Sequence, residues 1–130
     1  ACMAKAVDLA QLADALGNFR FAYLITVDDD HRAHTTTVTP TYEAGVLDIG
    51  PVGRHGRANL AHRGDVSLVW PPREVGDYSL IVDGQADLPD NPAGSLRVTP
   101  TRAVLHRPVI LDHSADAKGC VYDCVELAEA

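Results

Sequence analysis

From Phe21 to Leu105 the chain is a succession of short β-branched and apolar runs, each closed by glycine, proline or aspartate, with no long helical stretch between them. Parallel neighbours in a sheet need a crossover of about a dozen residues or more, usually a helix, so this spacing predicts antiparallel pairing. Phe21 to Val27 is the first such run, with Phe21, Tyr23, Ile25 and Val27 on one face and Ala22, Leu24 and Thr26 on the other. Both faces are apolar enough to be buried. The acidic turn Asp28, Asp29, Asp30, His31 leads into a threonine-rich run from Ala33 to Thr41, and the two runs form a hairpin. Val46 to Gly50, Val66 to Trp70, Tyr78 to Leu88 and Leu96 to Leu105 follow as strands, the last two joined through the turn residues Pro89 to Gly94. Trp70, ahead of two prolines, is expected to pack at the rim of the sheet.

Two segments have helical character. Asp8 followed by Gln11 is a capping-box pattern, and Leu12 and Leu16 then recur at helical spacing up to Gly17. Arg54 to Arg63 carries Ala58, Leu60 and Ala61 among cations, has no β-branched residue and stops near Gly64. The tail from Cys120 to Leu127 reads as either a strand or a ragged helix. The expected fold is mainly β, an antiparallel split β-barrel or sandwich with a short helix at the N-terminus and another after the third strand. A chain of 130 residues is the size of one domain, so residues 1–130 are expected to share one core.

Composition removes several classes of partner. Lys and Arg number 11 against 18 Asp and Glu, a net charge of −7 that repels nucleic acid and anionic lipid. No run approaches the ~20 apolar residues of a membrane span, and Asp8 and Asp14 interrupt the first apolar pattern as they would not in a signal peptide. Three cysteines, an odd number, favour a reducing compartment, and the expected location is cytoplasmic.

Against this acidic background the segment around GPVGRHGRANLAHRG stands out. Arg54, His55 and Arg57 open a helix directly after Gly50, Pro51 and Gly53. Free N–H groups and the helix dipole favour an anion at such a place, and phosphate is the natural ligand. The plain alternative is a solvated basic helix face. Cys120 and Cys124 with His106 and His113 are ligand types for zinc, but C-x-x-x-C without a second pair is a weak metal spacing. On a strand the two sulfurs would lie about 13 Å apart at ~3.3 Å per residue. Ordinary thiols and no metal are the expectation. Neither a Ser-His-Asp arrangement nor a Gly-Lys-Thr phosphate loop nor a dinucleotide fingerprint occurs, and no catalytic side chain is assigned.

The order FAYLITVDDDHRAHTTTVTPTYEAGVLDIG, GRHGRANLAHRGDVSLVW and YSLIVDGQADL resembles the pyridoxamine 5'-phosphate oxidase-like split β-barrels over about residues 19 to 88. That resemblance implies a homodimeric flavin-binding oxidoreductase in which hydride passes through FMN, with the deazaflavin F-420 or haem as the alternative cofactor. It also admits a non-catalytic binding protein, or a dimeric barrel without ligand. Carried over by position, the cofactor would lie along His34, Thr36, Thr37, Val38 and Thr39, with its phosphate at Arg54, His55, Arg57 and Asn59. The chain departs from the family pattern at Gly56, where a lysine is common, and at Pro51, near a frequent Thr or Ser.

Overall fold

The computed structural model describes residues 5–108 and 122–128, with side chains described from Asp8 to Pro108. Among these residues nine strands form one strongly curled sheet, and two short helices accompany it. The strands are β1 (Lys5–Asp8), β2 (Ala22–Val27), β3 (Ala33–Val38), β4 (Thr41–Glu43), β5 (Val46–Gly50), β6 (Asp65–Trp70), β7 (Ser79–Asp87), β8 (Leu96–Pro108) and β9 (Tyr122–Ala128). The helices are α1 (Leu12–Leu16) and α2 (Arg54–His62). Along the sheet the order is β1-β9-β8-β7-β6-β2-β3, and β8 also pairs with β5, which carries β4. The fold is the mainly β split barrel expected, with every pairing antiparallel except β1 with β9.

That parallel pair corrects the reading of the N-terminus. Asp8 has extended backbone (φ −64°, ψ 138°) and its side chain accepts a 3.1 Å bond from the Ala10 N–H, so it caps the helical segment while the residues before it pair as a strand. A tight turn at Leu9–Gln11 then leads into α1. The threonine run is likewise divided, because β3 ends at Val38 and the chain resumes as β4 beyond Pro40. Proline cannot donate to a ladder, and the break turns the chain at the barrel corner. With the extra strands β1 and β4, the second helix follows the fifth strand rather than the third.

The pleat of β2 sends Ala22, Leu24 and Thr26 into the core, while Ile25 and Val27 are only half-buried and Tyr23 remains 37% exposed. The outer face is therefore less covered than its apolar character suggests, because a barrel of one curled sheet has a single inside. Leu24, Leu68, Leu80, Val82, Leu96 and Val98 fill that inside, and Trp70, the last residue of β6, is buried with them. α2 lays Leu60 and Gly56 against the interior. β7 and β8 slip register between Asp83 and Gly84, where the backbones approach so closely that a Cβ on Gly84 would lie 2.7 Å from Thr99 O. The tail is a strand, with Cys124 opposite His106. Cys2, Cys120 and His113 lie outside the described residues.

Candidate functional site

Gly53 is the N-cap of α2, with extended backbone and no side-chain cap, and no acid occupies the first turn. Arg57 N–H is the first to reach an acceptor one turn back, bonding Gly53 O at 2.9 Å. The N–H groups ahead of it have no such acceptor in the helix. This end of α2 faces the inner side of β2 and β3. Registry pairs Thr26 with His34 and Leu24 with Thr36, so these four share one face. Between them and Val52, Gly53, Arg54, His55 and Gly56 lies a cleft of about 90 Å³. The His34 and His55 rings meet across it, centroids 5.5 Å apart and tilted by 53°.

The nine residues singled out by sequence divide on strand and helix periodicity. Arg54, His55, His34 and Thr36 line the cleft. Val38 faces the same way and packs against the core. Thr37 and Thr39 are exposed, Thr37 on the opposite face of β3 and Thr39 beyond its end. Arg57 turns away from the cleft. Its Nη2 donates to Pro89 O at 3.0 Å, and its Nη1 is buried without a partner among the described residues. Asn59 Nδ2 donates to Thr26 Oγ1 at 3.0 Å, tying α2 to β2 directly beneath the cleft. Thr26, 1% exposed, was not among the residues chosen from sequence. A polar residue on the buried face of an apolar strand was the signal for it.

Charge is divided along α2. At its far end Arg63 donates to Asp29 Oδ1 at 2.8 Å, and His62 Nδ1 lies 3.1 Å from Asp29 Oδ2. The Arg63 bond and the His62 charge hold the Asp29 carboxyl below its ordinary value. Asp28 is lowered too, chiefly by the Arg32 N–H, with Asp30 N–H and the Arg32 side chain adding to it. Arg54, by contrast, has no ion pair among the described residues. The basic end that points into the cleft is thus the end whose charge is unspent.

A larger hollow of about 370 Å³ lies between α1, the β6–β7 loop and β8, where Phe19, Tyr78 and Leu105 meet both Arg73 and Asp77. Its charges are of both signs, which suits no anion in particular. Among the described residues no group of three or more His, Cys, Asp or Glu side chains is placed to hold a metal, and no helix is long and apolar enough to cross a membrane.

No protein-family model matches the chain. It is 47% identical over 135 residues to uncharacterised proteins of Mycobacterium bovis and Mycobacterium tuberculosis, covering 94% of this chain and 95% of each of theirs. Among solved structures it superposes on a putative pyridoxamine 5'-phosphate oxidase from Listeria innocua (TM-score 0.60, 14% identity, 74% of this chain and 95% of that one). An F-420 reductase matches with TM-score 0.56 and 15% identity over 74% of this chain and 94% of its own. A FAD-binding protein from Mesorhizobium loti matches with TM-score 0.59 and 15% identity over 75% of this chain and 90% of its own.

Proposed function

The chain belongs to one family with the two mycobacterial proteins and has the pyridoxamine 5'-phosphate oxidase-like split-barrel fold, and from that premise we propose that it binds a phosphate-bearing flavin or deazaflavin and serves as an oxidoreductase. The observation that carries this reading is the meeting of β3 with the uncapped start of α2 in one small cleft. The cleft is small and its basic end is lined by Arg54 and His55 beside the free helix start, which suits a phosphate group. The residues present therefore fit the phosphate end of FMN or of F-420, while a ring would lie outside, along β3. β3 is the last strand on its side of the sheet and pairs with β2 alone among the described residues. Backbone N–H and C=O groups along its free edge are available to a planar heterocycle, as the positions Thr36, Thr37 and Val38 require, with Thr39 following the end of the strand.

Arg54 supplies a planar fork for two phosphate oxygens, and the N–H groups of the first helical turn add a dipole of the same sign. His55 and His34 close the cleft from either side, and Thr36 offers a hydroxyl. When bound, the flavin or deazaflavin supplies hydride transfer; the chain supplies binding, orientation and charge. The solved neighbours that are named for F-420 or FAD share this fold, which supports the ligand class. We further propose a cytoplasmic homodimer, supported by the half-covered outer face of β2, where Tyr23 is 37% exposed beside Ile25 and Val27.

The test is a titration of the protein with FMN, F-420 and haem in low salt, followed by absorbance and fluorescence. Wild type is expected to bind FMN or F-420. Arg54→Ala should weaken that binding by about ten- to a hundredfold, the worth of a charge-assisted pair. Arg63→Ala, whose guanidinium is held by Asp29, should leave it unchanged. Binding of haem alone, or equal affinity in Arg54→Ala and wild type, would refute the assignment.

A further inference from the structure

Gly56 is a glycine without a conformational reason to be one. It lies inside α2, its backbone φ is not positive, and it is buried. A helical glycine is less stable than alanine because its backbone loses more freedom on folding. Such a residue is usually retained where a neighbour leaves no room for a methyl group. Here the opposite holds. Apart from its chain neighbours and the helix's own backbone, an added Cβ would meet only Val52 Cβ among the described residues, at 3.8 Å, an ordinary van der Waals contact. Gly84 shows the contrast, since a Cβ there would press on Val98 and Thr99 at 2.6 and 2.7 Å.

Gly56 itself lines the cleft, together with Arg54, His55, Thr26 and Thr36. From this we infer that Gly56 is the specificity-determining floor of the site: its missing side chain is the seat of the ligand's phosphate, which comes down onto the bare helical backbone between Arg54 and Thr36. The inference rests on the proposed cofactor reading and names the residue that makes room for the phosphate. A methyl group at this position would take up part of the small cleft, leaving the fold intact and the anion displaced from the N–H groups beneath it.

Stability and binding must therefore move in opposite directions in Gly56→Ala. The melting temperature should rise by about 2 to 4 °C, as expected for relief of a helical glycine in a chain of 130 residues. FMN affinity should fall by about tenfold or more. Riboflavin, which has the same ring without the phosphate, should bind both proteins with affinities within about twofold of each other, because the ring lies outside the cleft. Equal FMN affinity in the two proteins, or an equal loss for FMN and riboflavin, would overturn the inference and leave the cofactor reading standing. A lowered melting temperature in Gly56→Ala would also overturn it, by showing that the chain itself needs the space. Failure of wild type to bind FMN would instead remove the cofactor reading, and this inference with it.

Discussion

Removing the Asn59 side chain should loosen α2 from the barrel, and the amount can be worked from one hydrogen bond. Asn59 Nδ2 donates to Thr26 Oγ1 at 3.0 Å, and Thr26 is 1% exposed on the inner face of β2. In Asn59→Ala the bond is lost and the buried hydroxyl keeps its desolvation cost, so the expected destabilisation is about 1–3 kcal/mol. For a chain of 130 residues a change of 1 kcal/mol corresponds to roughly 4 °C in melting temperature, which places the variant about 4 to 12 °C below wild type. Thr26→Val keeps the volume and leaves the half-buried Asn59 amide free to turn toward water, so it should cost about 1 kcal/mol. The double variant should be close to the worse single variant, because removing both partners leaves no polar group stranded. Urea unfolding of all four proteins measures the coupling, expected at about 1 kcal/mol. Additivity within about 0.3 kcal/mol would show that the bond does not hold the helix.

At the β7–β8 slip, Gly84→Ala puts a Cβ 2.7 Å from Thr99 O, which belongs to backbone and cannot swing away, so thermal unfolding should come at least about 4 to 8 °C earlier. An unchanged melting temperature there would mean that the two strands are further apart than they stand. Asp28 and Asp29 both have carboxyls held below 3.8, the ordinary value, so their contribution is present above that value and disappears as the pH falls through their lower folded values. Asp29→Asn should accordingly lower the melting temperature at pH 7 and at low salt, by a margin that shrinks as the pH falls below the ordinary carboxylate value. A difference that did not change with acidification would have another cause than the ionised carboxylate.

The periodicity of single segments was legible in the sequence, and so was much of the fold. Val46 to Gly50 and the helix opening at Arg54 follow from local pattern alone, because alternation of apolar residues, β-branching and the Gly–Pro boundaries act over a few residues. The short spacing of the runs is enough to forbid most parallel pairing. Arg54 and His55 were legible as a basic cluster because cations beside a glycine turn stand out in a chain of net charge −7, and Thr36 came from the family resemblance; the structure brings the three to one cleft. What local pattern does not hold is distance. The parallel pairing of Lys5–Asp8 with Tyr122–Ala128 joins the two ends of the described chain, and no window of sequence contains both. Direction is missing for the same reason: Arg57 is three residues from Arg54, yet the turn at Pro89 draws its guanidinium away from the cleft. The use of Thr26 as the anchor of α2, and the open space over Gly56, exist only once β2, β3 and the helix are brought together, since a buried hydrogen bond and a cavity are properties of packed surfaces.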